Sequence, residues 1–188
     1  MRALYGRHFA ARYEALDALI PGGASVVEVC AGDCRLYQRY LRGRIADYLA
    51  IDASPPFVDA ARRRGIRAEQ LDLREAAIPP ADYIVMQASL YQFLPDAEPV
   101  VRKLIAAARK QAIVAEPIRN LSDAQIPVLS WMSSLLTKPT AGAEQYSGGR
   151  FNRETLSALC ERVGGIEQTF LIPGGREQVY VFRGGASV

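Results

Sequence analysis

The feature of this chain that most constrains its fold is the stretch VVEVCAGDC, which runs from Val26 to Cys34. An apolar run closes on an acidic residue, Glu28, passes through small residues around Gly32, and leads into a helical pattern that starts near Arg35. A strand, a tight turn and a helix N-terminus in this order bring backbone N–H groups close to a ligand. The stretch therefore predicts an α/β fold with a ligand at the end of its first strand.

Two further apolar segments end on acidic residues. YLAID ends at Asp52, and AEQLD ends at Asp72. The carboxyl ends of parallel strands meet at one edge of a sheet, and ligands of open α/β sheets bind at that edge. Together with Glu28, these carboxylates predict a nucleoside cofactor held across the edge of a parallel sheet.

The rest of the chain continues the alternation of strands and helices. Strands are predicted over 25–30, 48–52, 66–72, 82–88 and 111–115, with helices over 4–20, 33–41, 55–64 and 96–110. Asn152 is expected to cap a last helix, and two strands joined through residues 173–175 form a hairpin. We therefore expect one domain over residues 1–188: a Rossmann-like, seven-stranded, mostly parallel sheet with helices on both faces and a C-terminal antiparallel hairpin.

Composition excludes several classes of protein. The 188 residues are 49% hydrophobic and 23% charged, which is typical of a soluble globular domain, and no apolar run is long enough to span a membrane. The net charge is only +3 and the basic residues are scattered, so nucleic acid is not an expected partner. Three cysteines form no disulfide framework, the single histidine argues against a metal site, and no export signal is apparent, so we expect a cytoplasmic protein.

These motifs resemble those of the class I S-adenosylmethionine-dependent methyltransferases over residues 24–115, and the last helix and hairpin fit that family's topology. The family pattern is an apolar strand, an acid and a G-x-G-x-G turn. Glu28 stands at the acid and Gly32 at the middle glycine, whereas Cys30 and Cys34 stand at the outer glycines. Because cysteine carries a Cβ, we expect the loop either to avoid left-handed conformations there or to widen the pocket.

The resemblance implies roles for the acids at the strand ends. Asp52 would accept hydrogen bonds from the ribose hydroxyls, Asp72 would meet the adenine amino group, and the backbone N–H of Leu73 would face the ring. Gln87 would lie at the methionine end. The implied cofactor-binding residues are Glu28, Cys30, Ala31, Gly32, Asp52, Ala53, Asp72, Leu73 and Gln87.

Two residues are candidates for catalysis. In many small methyltransferases the N-terminal helix, here residues 1–22, folds over the cofactor, which would bring Tyr5 and His8 to the pocket mouth. His8 is then either a general base or an ordinary residue of the helix surface. Tyr91 lies in LYQF, where related small-molecule enzymes carry two histidines, and is predicted to orient the acceptor or to stack on it.

A long segment, residues 117–150, interrupts the alternation after the fifth strand and is predicted to form a substrate lid. It supplies Arg119, Trp131 and Tyr146 as candidate acceptor contacts, although Trp131 could instead pack the segment onto the domain. Its exposed face could equally form a homodimer contact.

The predicted function is methylation of a small-molecule acceptor, at oxygen or nitrogen, with S-adenosyl-L-methionine as cofactor. The alternative is a catalytically silent protein of this fold that acts as an interaction partner, because the two cysteines and the missing histidines depart from the family pattern. A nicotinamide dehydrogenase would need G-x-G-x-x-G, which residues 30–35 do not supply. The signature of enzymes that methylate base amines is also absent.

Overall fold

The computed structural model describes residues 8–118 and 149–185, and it has the predicted α/β architecture. The strands are β1 (Ser25–Val29), β2 (Asp47–Asp52), β3 (Ala68–Gln70), β4 (Ala81–Gln87), β5 (Ala108–Pro117), β6 (Ile166–Leu171) and β7 (Glu177–Arg183). The α-helices in the described ranges are α1 (Ala11–Leu19), α2 (Pro55–Arg63), α3 (Glu98–Ala107) and α4 (Arg153–Val163). A π-helical segment covers Tyr37–Leu41, and a 3-10 turn covers Leu90–Phe93.

The seven strands form one sheet in the order β3-β2-β1-β4-β5-β7-β6. Strands β1 to β5 are parallel, with Glu28 of β1 in register with Ala50 of β2 and Val85 of β4. Strand β7 is antiparallel to both β5 and β6, so the predicted C-terminal hairpin is confirmed. Because β7 runs against β5, the hairpin turn lies at the same edge of the sheet as the carboxyl ends of β1 to β5.

Helices cover both faces of the sheet, as predicted. Helices α3 and α4 pack on one face through Val101, Leu104 and Leu156, which are all fully buried. On the other face, α1, the π-helical segment and α2 pack against a second core that contains Leu16 and Val58. Both cores have the alternate side chains of the central strands at their centre, because successive residues of a strand point to opposite faces.

Some element boundaries differ from the sequence prediction. Strand β3 contains three residues rather than seven, because its only partner in the sheet, β2, ends at Asp52 opposite Gln70. Asp72 therefore lies in the turn that follows. Helix α3 ends at Ala107 rather than at Lys110, since Ala108 already pairs with Ala81 in the sheet. In both cases strand pairing overrides the local pattern.

The helices α4 and α2 begin in different ways. Asn152 caps α4 as predicted: its Oδ1 accepts the backbone N–H of Thr155 at 2.8 Å, and the Thr155 hydroxyl accepts the Asn152 N–H at 3.0 Å. Ser54 occupies the cap position of α2, but its side chain forms no capping hydrogen bond. The nearby carboxylate of Asp52 instead accepts the Ser54 N–H.

No helix in the described ranges is long and apolar enough to cross a membrane. Residues 119–148, which make up most of the predicted substrate lid, lie outside the described residues.

Candidate functional site

The loop after β1 has an unusual backbone at the three positions where the sequence pattern expects glycine. Cys30, Gly32 and Cys34 have φ angles of 52°, 51° and 54°. The two cysteines therefore keep the left-handed conformation, which excludes the first of the two expected outcomes; the wider pocket stays a prediction. A left-handed residue with a side chain costs about 1–2 kcal/mol, so the surrounding contacts must hold this loop in place.

Asp52, at the end of β2, supplies several of those contacts. Its Oδ2 accepts the Gly32 N–H at 2.9 Å, and its Oδ1 accepts the Ser54 N–H at 2.9 Å. Burial raises the pKa of Asp52, and the two backbone N–H groups oppose that rise. Each carboxylate oxygen has a second lone pair, so this side chain can still accept two hydroxyl groups.

The space above the middle of the loop is open. No heavy atom of the described chain, beyond the flanking residues, lies within 4 Å of the point where a side chain of Gly32 would begin. The Ala31 N–H donates to the Ile51 carbonyl at 3.0 Å, which ties the loop to β2. The loop is thus a rigid backbone cradle that a ligand can approach closely.

Glu28, in the strand that leads into this loop, is turned to a partner within the core. The side chain is buried, and its Oε2 accepts the hydroxyl of Tyr48 at 2.5 Å. Burial raises the pKa of Glu28 to about 7, although the Tyr48 hydrogen bond lowers it. Tyr48 also stacks on Tyr37 of the π-helical segment, with 4.0 Å between ring centres. Glu28 therefore supports the loop from the core.

The thiols of Cys30 and Cys34 are expected to be unreactive. Burial raises the pKa of Cys30 to about 12 and that of Cys34 to about 12. Both thiols are therefore protonated at neutral pH, and a thiol rather than a thiolate is a poor nucleophile. Cys34 is fully buried among apolar residues and Cys30 is only partly exposed.

The turn after β3 presents the second pair of predicted cofactor residues. Asp72 Oδ1 accepts the Arg74 N–H at 2.9 Å, and the Asp72 side chain is 42% exposed. Leu73 packs its side chain into the core. Among the described residues none accepts a hydrogen bond from the Leu73 N–H. Ala53 is exposed at the end of β2, and its carbonyl accepts a long 3.4 Å hydrogen bond from Gln70.

At the end of β4, Gln87 belongs to a polar cluster that joins three elements. Arg12 of α1 and Glu177 of β7 form an ion pair with 2.7 Å between Nε and Oε2, and their side chains are 1% and 0% exposed. Gln87 Nε2 donates to the Arg12 carbonyl at 3.4 Å and to Glu177 Oε1 at 3.3 Å. The cluster holds the N-terminal helix at the carboxyl edge of the sheet.

Tyr91 lies in the 3-10 turn after β4, and Glu116 at the end of β5 supports this turn. Glu116 is fully buried; its Oε2 accepts the Leu90 N–H at 2.9 Å and its Oε1 accepts the Tyr91 N–H at 3.3 Å. The Arg150 guanidinium carbon lies 4.5 Å from the centre of the Tyr91 ring. Burial raises the pKa of Tyr91, so the phenol stays protonated at neutral pH and can donate a hydrogen bond.

His8 contacts the hairpin turn between β6 and β7. The position of a Gly174 Cβ would lie 3.1 Å from two imidazole carbons of His8. One residue further on, the Phe9 ring lies under the Arg35 guanidinium, 5.4 Å from its carbon atom. The N-terminal segment therefore reaches from the hairpin to the start of the helix after the β1 loop. The predicted contacts Tyr5, Arg119, Trp131 and Tyr146 lie outside the described residues.

Three buried polar residues near the β4 side of this edge were not among the predicted site residues: Arg12, Glu116 and Glu177. Glu116 had a usable signal, because it ends the apolar run AIVAE just as Asp52 ends YLAID. Arg12 and Glu177 had none, since 165 residues separate them and only the closed fold brings them together.

Neither a family model nor a curated protein sequence matches this chain. Solved structures do match it, and three of them illustrate the reactions that proteins of similar structure carry out. A TehB-like S-adenosylmethionine-dependent methyltransferase from Corynebacterium glutamicum is 20% identical with a TM-score of 0.65, over 98% of this chain and 92% of that one. The fold is that of a class I methyltransferase.

Two further structures share the class I methyltransferase fold. Magnesium protoporphyrin IX methyltransferase from Synechocystis, with bound S-adenosylhomocysteine, is 14% identical with a TM-score of 0.63, over 94% of this chain and 80% of that one. The [4+2]-cyclase SpnF is also 14% identical, with a TM-score of 0.67 over 95% and 82%. The class I methyltransferase fold thus carries more than one reaction, and the reaction of this chain must be argued from its own residues.

Proposed function

We propose that this protein is a methyltransferase that uses S-adenosyl-L-methionine and acts on a small-molecule acceptor, at oxygen or nitrogen. The observation that carries the proposal is the loop after β1. All three positions that correspond to family glycines are left-handed, although two of them are cysteines, and Asp52 fixes the loop through the Gly32 N–H. Strained backbone conformations cluster at functional sites, so a loop that keeps this conformation without glycine is expected to bind a ligand.

The donors and acceptors at the first three strand ends fit an adenosine group. Asp52 would accept the two ribose hydroxyls through its remaining lone pairs. Asp72 is half-buried and would accept the adenine amino group, while the Leu73 N–H would donate to a ring nitrogen. Gln87 would bind at the methionine end from the end of β4, and Ala31 and Ala53 would contact the cofactor through their backbone.

S-adenosylmethionine, when bound, supplies a methyl group on a sulfonium, which needs no further activation. The work left to the chain is alignment of the acceptor and exclusion of water. Tyr91 is protonated and is positioned by Glu116, so it suits hydrogen bonding to the acceptor or stacking on it rather than proton abstraction. His8 is the candidate base, because its segment lies at the same edge of the sheet.

The small-molecule acceptor is supported by the form of the site. The buried Arg12–Glu177 ion pair lies on the β4 side of the edge, and the N-terminal segment extends from the hairpin turn to Arg35, which suits an enclosed acceptor better than a long polymer. We propose that residues 117–150 complete this enclosure, with Arg119, Trp131 and Tyr146 as contacts and Tyr5 opposite them. The same segment is the proposed place for a homodimer contact.

The test is ligand binding by wild type and by Asp52→Asn, with Asp47→Asn as the matched control. Asp47 lies at the other end of the same strand, in an exposed ion pair with Arg67. S-adenosylmethionine, S-adenosylhomocysteine and NADH are added separately in thermal unfolding. A ligand at a hundred times its dissociation constant stabilises by about 2.7 kcal/mol, which raises the midpoint by several degrees.

We expect both sulfur nucleosides to raise the midpoint of wild type and Asp47→Asn, and we expect Asp52→Asn to lose most of that rise. NADH should have no effect. A wild-type protein that responds to neither sulfur nucleoside would overturn the proposal and favour an interaction partner without catalysis. When binding is established, a screen of acceptors with methyl-labelled cofactor identifies the acceptor class.

A further inference from the structure

A single lysine holds the turn that carries the proposed adenine contacts. Lys103 projects from α3, and its Nζ donates to the carbonyl oxygens of Leu73 at 2.6 Å, Arg74 at 3.1 Å and Ala76 at 3.3 Å. An ammonium group has three N–H donors, so these three bonds use all of them. Lys103 is the described side chain that binds the most carbonyl groups of this turn.

The turn needs such a partner because it is a single turn of helix without a continuation. The Asp72 carbonyl accepts the N–H groups of Glu75 at 3.1 Å and Ala76 at 3.0 Å, which closes the turn. The carbonyls at its C-terminal end have no following turn to donate to them. A cation at that end satisfies them and also complements the local dipole.

The residue type at position 103 is informative. The chain has 23 basic residues, of which only Lys103, Lys110 and Lys138 are lysines and the other 20 are arginines. Guanidinium donors lie in a planar fork that suits paired oxygens, whereas ammonium donors converge from one nitrogen. The single Nζ of lysine therefore suits the three carbonyl oxygens that surround it here.

A second contact fixes the same turn from the other side. Arg74 Nη2 donates to the Gln92 carbonyl at 2.8 Å, and its guanidinium lies over the Phe93 ring with 4.8 Å between its carbon and the ring centre. The side chain of Arg74 is 59% exposed, so it constrains the turn less tightly than the part-buried Lys103 contacts.

We propose that Lys103 is a positioning residue for recognition of the adenine base. It does not touch the cofactor; it fixes the turn so that the Asp72 carboxylate and the Leu73 N–H face the base together. This inference rests on the proposed function, because it assigns the turn to the adenine end of that cofactor. Loss of Lys103 should therefore weaken discrimination between adenine and a base without its amino group.

The experiment compares binding of S-adenosylhomocysteine and S-inosylhomocysteine by isothermal titration calorimetry. The second ligand carries an exocyclic carbonyl oxygen in place of the amino group that would donate to Asp72. The variants are Lys103→Met, Lys103→Arg and the matched control Lys110→Met, which changes an exposed lysine at the start of β5. Thermal unfolding without ligand accompanies each titration.

Wild type and Lys110→Met should bind the adenine compound about tenfold more tightly than the inosine compound, since a lost amino-group hydrogen bond to a carboxylate is worth about that factor. Lys103→Met should reduce this ratio to about two, through weaker binding of the adenine compound. Lys103→Arg keeps the charge and should give an intermediate ratio, and it replaces Lys103→Met if the latter does not fold.

Three outcomes would overturn the inference. Both Lys103 variants could keep the wild-type ratio while their unfolding midpoints fall, which would show a purely structural role. Wild type could bind both compounds equally, which would remove this turn from base recognition although the cofactor binds. Wild type could bind neither compound, and then the proposed function fails first.

Discussion

Apart from Glu28, which is buried against Tyr48, the acidic residues at the carboxyl edge of this sheet have opposite surroundings on its two sides. On the side of β1, β2 and β3, Asp52 and Asp72 remain partly exposed and accept backbone N–H groups while keeping lone pairs for a ligand. On the side of β4, β5 and β7, Glu116 and Glu177 are fully buried, and both oxygens of each accept hydrogen bonds from the protein itself.

This difference in exposure suits the first group of acids to ligand binding and the second group to stabilising the fold. A carboxylate that keeps contact with solvent can exchange water for ligand hydroxyl groups at little cost. An acidic side chain without solvent contact needs permanent hydrogen-bond partners and either a paired cation or a bound proton, because an unpaired buried charge is strongly unfavourable. We therefore expect substitutions of Asp52 and Asp72 to change ligand binding, and substitutions of Glu116 and Glu177 to change stability first.

The largest effect is expected from Glu177→Gln. The substitution removes the negative charge beside Arg12, whose Nε lies 2.7 Å from Glu177 Oε2 in a fully buried pair. Breaking a buried ion pair costs about 3–5 kcal/mol. The free energy of unfolding, measured with urea, should fall by that amount.

The matched control is Glu167→Gln in the same hairpin. Glu167 pairs with Arg183 at 2.9 Å, but the Arg183 side chain is 78% exposed. Exposed pairs contribute about 0–1 kcal/mol, so this variant should remain close to wild type. Equal effects of the two substitutions would mean that the buried pair stabilises the fold no more than an exposed pair does, and would contradict the supporting role of Glu177.

The next effect is a loss of stability as pH rises. Burial raises the pKa of Glu116 to about 8 and that of Glu28 to about 7, from an ordinary 4.5. Between these values the folded protein holds protons that the unfolded chain has released. The contribution of these two groups to the free energy of unfolding is therefore greatest below pH 4.5, and it is lost as the pH rises toward 8.

Urea unfolding at pH 5.5, 7 and 8.5 measures this dependence. Each carboxyl group should contribute a slope on the order of 1 kcal/mol per pH unit in the range where the two states differ. Glu116→Gln cannot titrate, so its slope should be shallower than that of wild type. If the free energy of unfolding changed equally with pH in wild type and Glu116→Gln, Glu116 would not be a buried, protonated carboxyl group.

The smallest effect concerns the strained loop on the β1 side. At an ordinary position glycine is less stable than alanine by about 0.5–1 kcal/mol. At Cys30, with φ at 52°, the order should reverse, since alanine keeps the left-handed strain and glycine removes it. We expect Cys30→Gly to be more stable than Cys30→Ala by about 1 kcal/mol in urea unfolding.

A position of ordinary conformation provides the reference for that comparison. Ala106 is exposed in α3, and Ala106→Gly should cost about 1 kcal/mol. If Cys30→Ala were also more stable than Cys30→Gly, the loop would have to relax away from the left-handed conformation.

Much of the fold could be predicted because its signals are local. The apolar runs, the Asn152 cap and the glycine-rich hairpin turn each depend on neighbours a few residues apart. The ends of β3 and α3 could not be predicted, because the neighbouring strands in the sheet decide them. The backbone of the loop after β1 was also out of reach, since cysteine alone disfavours the conformation that the fold imposes.

The sequence by itself determined the order of strands and helices, the presence of Glu28, Asp52 and Asp72 in or close after β1, β2 and β3, and the departure of Cys30 and Cys34 from glycine. These depend on residue type and short spacing. Only the tertiary structure decided the partners of the buried acids, the contact of Lys103 with the turn after β3, and the enclosure by the N-terminal segment. Such contacts join residues that are distant along the chain, and the packing of the sheet brings them within hydrogen-bonding distance.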